Sequence, residues 1–129
     1  MNKLSELSEK TARIEVIVKD EKNCPWYKKG DRIIFQDPLI MTNDSVPICA
    51  YAWAGLFPVI VAMARGASPH RLEINPDPAT GMNVGYMACP DPGPPITNGG
   101  HVLFELRAVR THTPQRVLPS WESLERRTE

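Results

Sequence analysis

Hydrophobic and polar positions alternate, run on or stop along this chain in ways that set most of its elements. Arg13 to Lys19 reads RIEVIVK, with Ile14, Val16 and Val18 on one face, the alternation of a half-buried strand. Arg32 to Phe35 (RIIF) predicts a second short strand. His101 to Val109 (HVLFELRAV) is the strongest, with Val102, Phe104, Leu106 and Ala108 on one face and Leu103, Glu105 and Arg107 opposite. Arg71–Ile74 and Val84–Ala88 are weaker strand candidates. Between the strands lie turn formers: Lys28-Lys29-Gly30-Asp31, Asn75 to Gly81, and Cys89-Pro90-Asp91-Pro92-Gly93-Pro94-Pro95.

One stretch breaks the alternation. Ile48 to Ala64 (ICAYAWAGLFPVIVAMA) has no charged residue. Its length sits at the lower limit for a membrane span, but Pro58 in its middle and the lone Arg65 beyond it argue against one. A helix apolar all round is what a small domain places at its centre, so the expectation is a core helix. Ser45 is the expected N-cap, Pro47 suits the first turn, and Gly66 is the expected stop. Pro58 predicts a kink or break near Gly55.

These elements predict an α+β fold: four to five mostly antiparallel strands packed on one apolar, Pro-kinked helix. The domain is expected over residues 13–109. Residues 1–12 form an N-terminal arm or short amphipathic helix carrying Leu4 and Leu7. Residues 110–129 form an extended C-terminal arm, with Val117, Leu118, Trp121 and Leu124 as its partner-binding residues.

Composition narrows the function classes. The 129 residues carry 15 Lys+Arg against 15 Asp+Glu, and a zero balance with no basic run argues against nucleic acid or an anionic membrane as partner. Thirteen prolines and eight glycines assign much of the chain to turns and extended connections. Met1 to Arg13 is too polar for a secretory signal, which predicts a cytoplasmic protein with reduced thiols.

The order of motifs adds a resemblance. A strand leads to Cys24, then Gly30-Asp31 precedes a second strand. Cys49 opens the apolar helix that ends at Arg65-Gly66, and Cys89-Pro90-Asp91-Pro92 precedes Val102-Leu103-Phe104-Glu105-Leu106-Arg107. This order resembles a family of small uncharacterised bacterial and archaeal proteins sharing a three-cysteine layout, over roughly residues 13–109. The resemblance implies that Cys24, Cys49 and Cys89 stand at matching positions, and it brings no activity with it. Where that family carries Gly-His after its first cysteine, this chain has Trp26-Tyr27.

The cysteines are the first candidate chemistry. Cys24, Cys49 and Cys89, with His101, His70, Asp31 or Asp91 as a fourth ligand, offer the donors of a zinc or iron–sulfur site. Their wide spacing leaves the fold to assemble any such site. The competing reading is structural, because free cysteine packs as a small hydrophobe. Cys89 and Asp91, held on a proline-stiffened loop, are the catalytic candidates, although no base or oxyanion donor is evident beside them. The chain has no His-x-x-x-His pair, nucleophile elbow or phosphate-binding glycine loop. Trp53 and Phe57, four apart on the helix, should face one way, either in core packing or against a flat aromatic ligand near Cys49.

The reading that results is an accessory or small subunit that binds a larger enzyme or itself through its arms. A thiol- or metal-dependent protein using the three cysteines is the alternative, and a passive small-molecule carrier is the third.

Overall fold

A computed structural model describes residues 11–75 and 83–110. Strand β1 (Arg13–Lys22) is followed by β2 (Arg32–Gln36), the two-residue β3 (Leu39–Ile40), a 3-10 turn (Thr42–Asp44), helix α1 (Ala50–Ala64), β4 (Val84–Ala88) and β5 (His101–Val109). The strands form one antiparallel sheet in the order β3-β2-β1-β5-β4. The α+β expectation therefore holds.

Register follows the alternation read from sequence. Val16 lies opposite Ile33 on one side and Leu106 on the other, so three strands present apolar side chains to the same face. α1 covers that face with Ala52, Leu56, Ile60, Met63 and Ala64, all buried. A bulge between Val18 and Asp20 shifts the far end of β1 against β5 and lets Lys22 reach His101.

The ends of α1 differ from each other. Gly66 stops the helix as expected, at φ +105°. Its N–H donates to Met63 O at 3.1 Å, and that of Ala67 to Ala62 O at 2.9 Å, the paired bonds of a Schellman motif. The expected N-cap fails. Ser45 Oγ instead accepts from Ile34 N–H at 2.9 Å and donates to Met41 O at 2.7 Å, serving the outer edge of β2. Helix α1 starts later, with Cys49 at the N-cap position and no side chain bonded there. Of the kink or break expected near Gly55, the break does not occur. Pro58 and Ala54, whose carbonyl lacks the proline's donor, both lie on the exposed side of a continuous helix.

Arg71–Ile74 is a set of turns rather than a strand. Leu72 N–H donates to Ser68 O and Ile74 N–H to Pro69 O, so local helical-type bonds take the donors that a strand would offer to a neighbour. The segment nevertheless seals the sheet edge. Ile74 O accepts from Tyr86 N–H at 3.0 Å, Asn75 Nδ2 donates to Val84 O at 2.8 Å, and the Ile74 side chain fills the space a Cβ on Gly85 would need.

Ala12 is fully buried and donates its N–H to Ala64 O at 2.8 Å, so the packed core begins just ahead of the expected boundary. The predicted N-terminal helix with Leu4 and Leu7, most of the Asn75–Gly81 turn, and the C-terminal Val117, Leu118, Trp121 and Leu124 lie outside the described residues. No helix among the described residues is long and apolar enough to cross a membrane.

Candidate functional site

Sheet register brings the segments around Cys24 and Cys89 to one end of the sheet, and Tyr27 ties the Cys49 backbone to it. Cys24 follows β1 and Cys89 follows β4, and β5 begins between them at Gly100-His101. The Cys24 backbone lies directly on the Gly100 Cα. Cys89 Sγ accepts from Val102 N–H at 3.2 Å and faces Gly100 O at 3.9 Å. Cys24 Sγ accepts from Tyr27 N–H at 3.4 Å, and Cys24 N–H donates to Glu21 Oε2 at 3.1 Å.

Tyr27 links this end of the sheet to the start of α1. Its hydroxyl donates to Pro47 O at 3.0 Å and accepts from Cys49 N–H at 2.7 Å. Its ring meets Phe104 edge-on at 5.9 Å. Burial is the main cause pushing the phenol pKa above its ordinary value, with the two cysteines and Asp31 adding to it and the Cys49 N–H opposing. The phenol therefore works as a neutral hydrogen-bonding bridge.

The candidate metal grouping of Cys24, Cys49, Cys89 and His101 is not assembled: among the described residues no three His, Cys, Asp or Glu side chains gather as ligands. The other ligand candidates have local structural partners: His101 Nδ1 lies 3.3 Å from Asp91 O, His70 Nδ1 lies 3.3 Å from Asn75 O, and Asp31 Oδ2 accepts from Lys28 N–H at 2.9 Å. The sulfurs of Cys24 and Cys89 accept backbone hydrogen bonds, which is a structural use of the thiol.

Asp91 organises its loop. Its carboxylate accepts from the Thr97 hydroxyl and from Gly93 N–H at 2.8 Å, while Gly99 leaves room for it where any Cβ would collide. Those bonds, Thr97 first, with the charge of His101 adding to them, hold its pKa below the usual carboxylate range. A carboxyl held low binds its proton less readily in the folded loop than in the unfolded chain. Its stabilisation is thus complete above the ordinary Asp pKa and is lost as pH falls through the lowered value. In a carboxyl-detected NMR titration, Asp91 should titrate low and Thr97→Val should return it towards the ordinary range. An Asp91 that already titrates in that range would show that the loop does not hold it.

Of the two arrangements expected for Trp53 and Phe57, core packing is the one formed. Trp53 and Phe57 face one way, 5.6 Å apart, and close on Phe35 at 6.0 and 5.9 Å. They anchor α1 to β2. The aromatics near Cys49 are Trp26, Tyr27 and Tyr51, which with Pro47, Ile48 and Ala50 line an open apolar cleft of about 350 Å³. A second cleft, of about 530 Å³, lies between the end of β1 and the proline loop, bordered by Asp20, Lys22, Pro92, Pro94, His101 and Leu103.

The expectation that α1 is buried all round also needs correction. The helix covers the sheet as an outer layer, and Ala50, Tyr51, Ala54, Gly55, Phe57 and Pro58 are exposed. At 100° per residue, Tyr51, Ala54, Gly55 and Pro58 form one outward stripe, opposite Leu56 and Ile60. α1 carries no charged side chain anywhere, so this stripe is apolar surface turned to solvent and continuous with the Trp26–Tyr51 cleft. The sequence held a signal for it, since a domain with one helix and one sheet has no second layer with which to cover the helix's far side. Comparison with known proteins brings no relative: no family model, no curated protein and no solved structure matches the chain.

Proposed function

We propose that this protein is a small binding subunit whose work is contact with another polypeptide, and that the outward face of α1 with Trp26 is the contact surface. One observation carries the reading: a fifteen-residue helix with no charged side chain lies on the outside of the sheet. A surface helix ordinarily sets charged and polar side chains against water. A contiguous apolar patch rimmed by polar residues marks an interaction site, and exposed Trp and Tyr are the residue types that concentrate binding energy. The terminal arms, with Val117, Leu118, Trp121 and Leu124, are additional contact elements in this reading.

Native mass spectrometry of the protein purified from its own cells tests the proposal. The chain is expected in a stoichiometric complex with polypeptide, and Ala54→Arg is expected to return it to a bare, folded monomer. A wild-type chain that is itself a bare monomer overturns the reading.

A further inference from the structure

We infer that the occupant of this face is a second copy of the same chain, packed helix against helix about a two-fold axis at Ala54. The inference rests on the contact reading above and names its partner. Three observations favour a like partner.

Charge is the first. A patch that meets its own copy sets its side chains against an equivalent set, so a patch of one charge sign repels itself. α1 has no charge to repel, and the whole chain balances 15 basic against 15 acidic residues. Neither short-range nor long-range electrostatics therefore opposes association between copies.

Area is the second. Trp26, Tyr51 and Phe57 expose 77%, 82% and 40% of their surface. At about 150–250 Å² per aromatic side chain they offer roughly 300–500 Å² between them. Ala50, Ala54, Gly55 and Pro58 add to the same face, bringing it towards the ~800 Å² per partner of a standard specific interface.

Shape is the third. The exposed positions run from Ala50 to Pro58 and centre on Ala54, with Gly55 beside it. Bulk lies at both ends, Tyr51 on one side and Phe57 with Pro58 on the other. A half-turn about Ala54 sets each Tyr51 beside the other copy's Phe57–Pro58 end and brings the two small centres together. This lets the helices approach to the roughly 8–10 Å of ordinary helix packing. The contact is isologous and closes at two copies.

Sedimentation equilibrium of the purified full-length chain at micromolar concentration tests this. The expected result is a mass twice that of the chain, falling twofold to the monomer with Ala54→Arg or Tyr51→Ser while the circular dichroism spectrum is kept. Ala54→Cys, made with Cys49→Ser, should cross-link to a covalent dimer under mild oxidation, because a residue on the axis meets itself, and Lys29→Cys in the same background should not. A purified monomer overturns the inference. The contact reading survives that result only if the native complex from cells contains a different polypeptide. A dimer indifferent to both face substitutions and uncrosslinked through position 54 overturns the inference and the contact reading together.

Discussion

Gly100→Ala is expected to be the most damaging glycine-to-alanine change among the described residues. A Cβ placed on Gly100 would lie 2.5 Å from the Asn23 carbonyl carbon and closer still to the Cys24 backbone N and Cα. These are main-chain atoms, so no side-chain rotation relieves the overlap. The backbone after β1 or the start of β5 must move, and both are fixed. Cys24 N–H is held by Glu21, Tyr27 N–H by Cys24 Sγ, and Val102 N–H by Cys89 Sγ. Overpacking against such a frame costs about 3 kcal/mol, the upper end of the usual range, which for a domain of this size lowers the melting midpoint by roughly 10 °C. Calorimetry reads it directly. Gly30→Ala is the informative contrast, because Gly30 has a left-handed φ of +96° but open space around its Cβ position and pays only backbone strain. Equal midpoints for Gly100→Ala and wild type would mean that the Cys24 and Gly100 backbones are not in contact.

Phe35→Ala is the second large effect. Phe35 is 2% exposed and receives both Trp53 and Phe57 from α1. It is the point at which helix and β2 engage. Truncation removes the ring and leaves a hole that Trp53 and Phe57 cannot both fill, since their backbones are tied into one helix. Unfolding in urea should show a loss of about 3–5 kcal/mol, with Trp53 emission shifted to the red as its ring gains water. A loss below about 1 kcal/mol would show that the aromatic group is not the anchor.

β1 and β5 were legible because each writes its burial in a two-residue period. β2, buried at four consecutive positions, was legible only as a short apolar run, and the two-residue β3 left no signal. Val16 against Ile33 and Leu106 is the pairing the alternation asks for. α1 was legible as a helix but not in its orientation. Periodicity reports a buried face only through contrast between positions, and a run in which nearly every residue is apolar has none, so Leu56 and Ala54 read alike although one is buried and the other exposed. Ser45 misled for a different reason. Its hydroxyl has two possible local backbones to serve, and tertiary pairing gave it to β2. Arg71–Ile74 was apolar enough for a strand, but Ser68-Pro69 starts a turn whose bonds are satisfied within a few residues. The site was the least legible part. Cysteines 25 and 40 residues apart carry no spacing signal; which of them touch what is decided by the β1–β5 and β4–β5 registers.

The β1–β5 register also has a temporal meaning. Among the described strands β1 is central and emerges first, yet it pairs along its length, from Arg13–Val109 to Lys22–His101, with the one made last. β2 and α1 can gather on β1 during synthesis, but one hydrogen-bonding edge of β1 stays open until His101–Val109 leaves the ribosome. Closing so long a loop costs chain entropy before any contact rewards it. Between the synthesis of β1 and that of β5 the nascent chain therefore carries an unpaired central edge with an apolar helix nearby, the kind of exposed surface that favours aggregation.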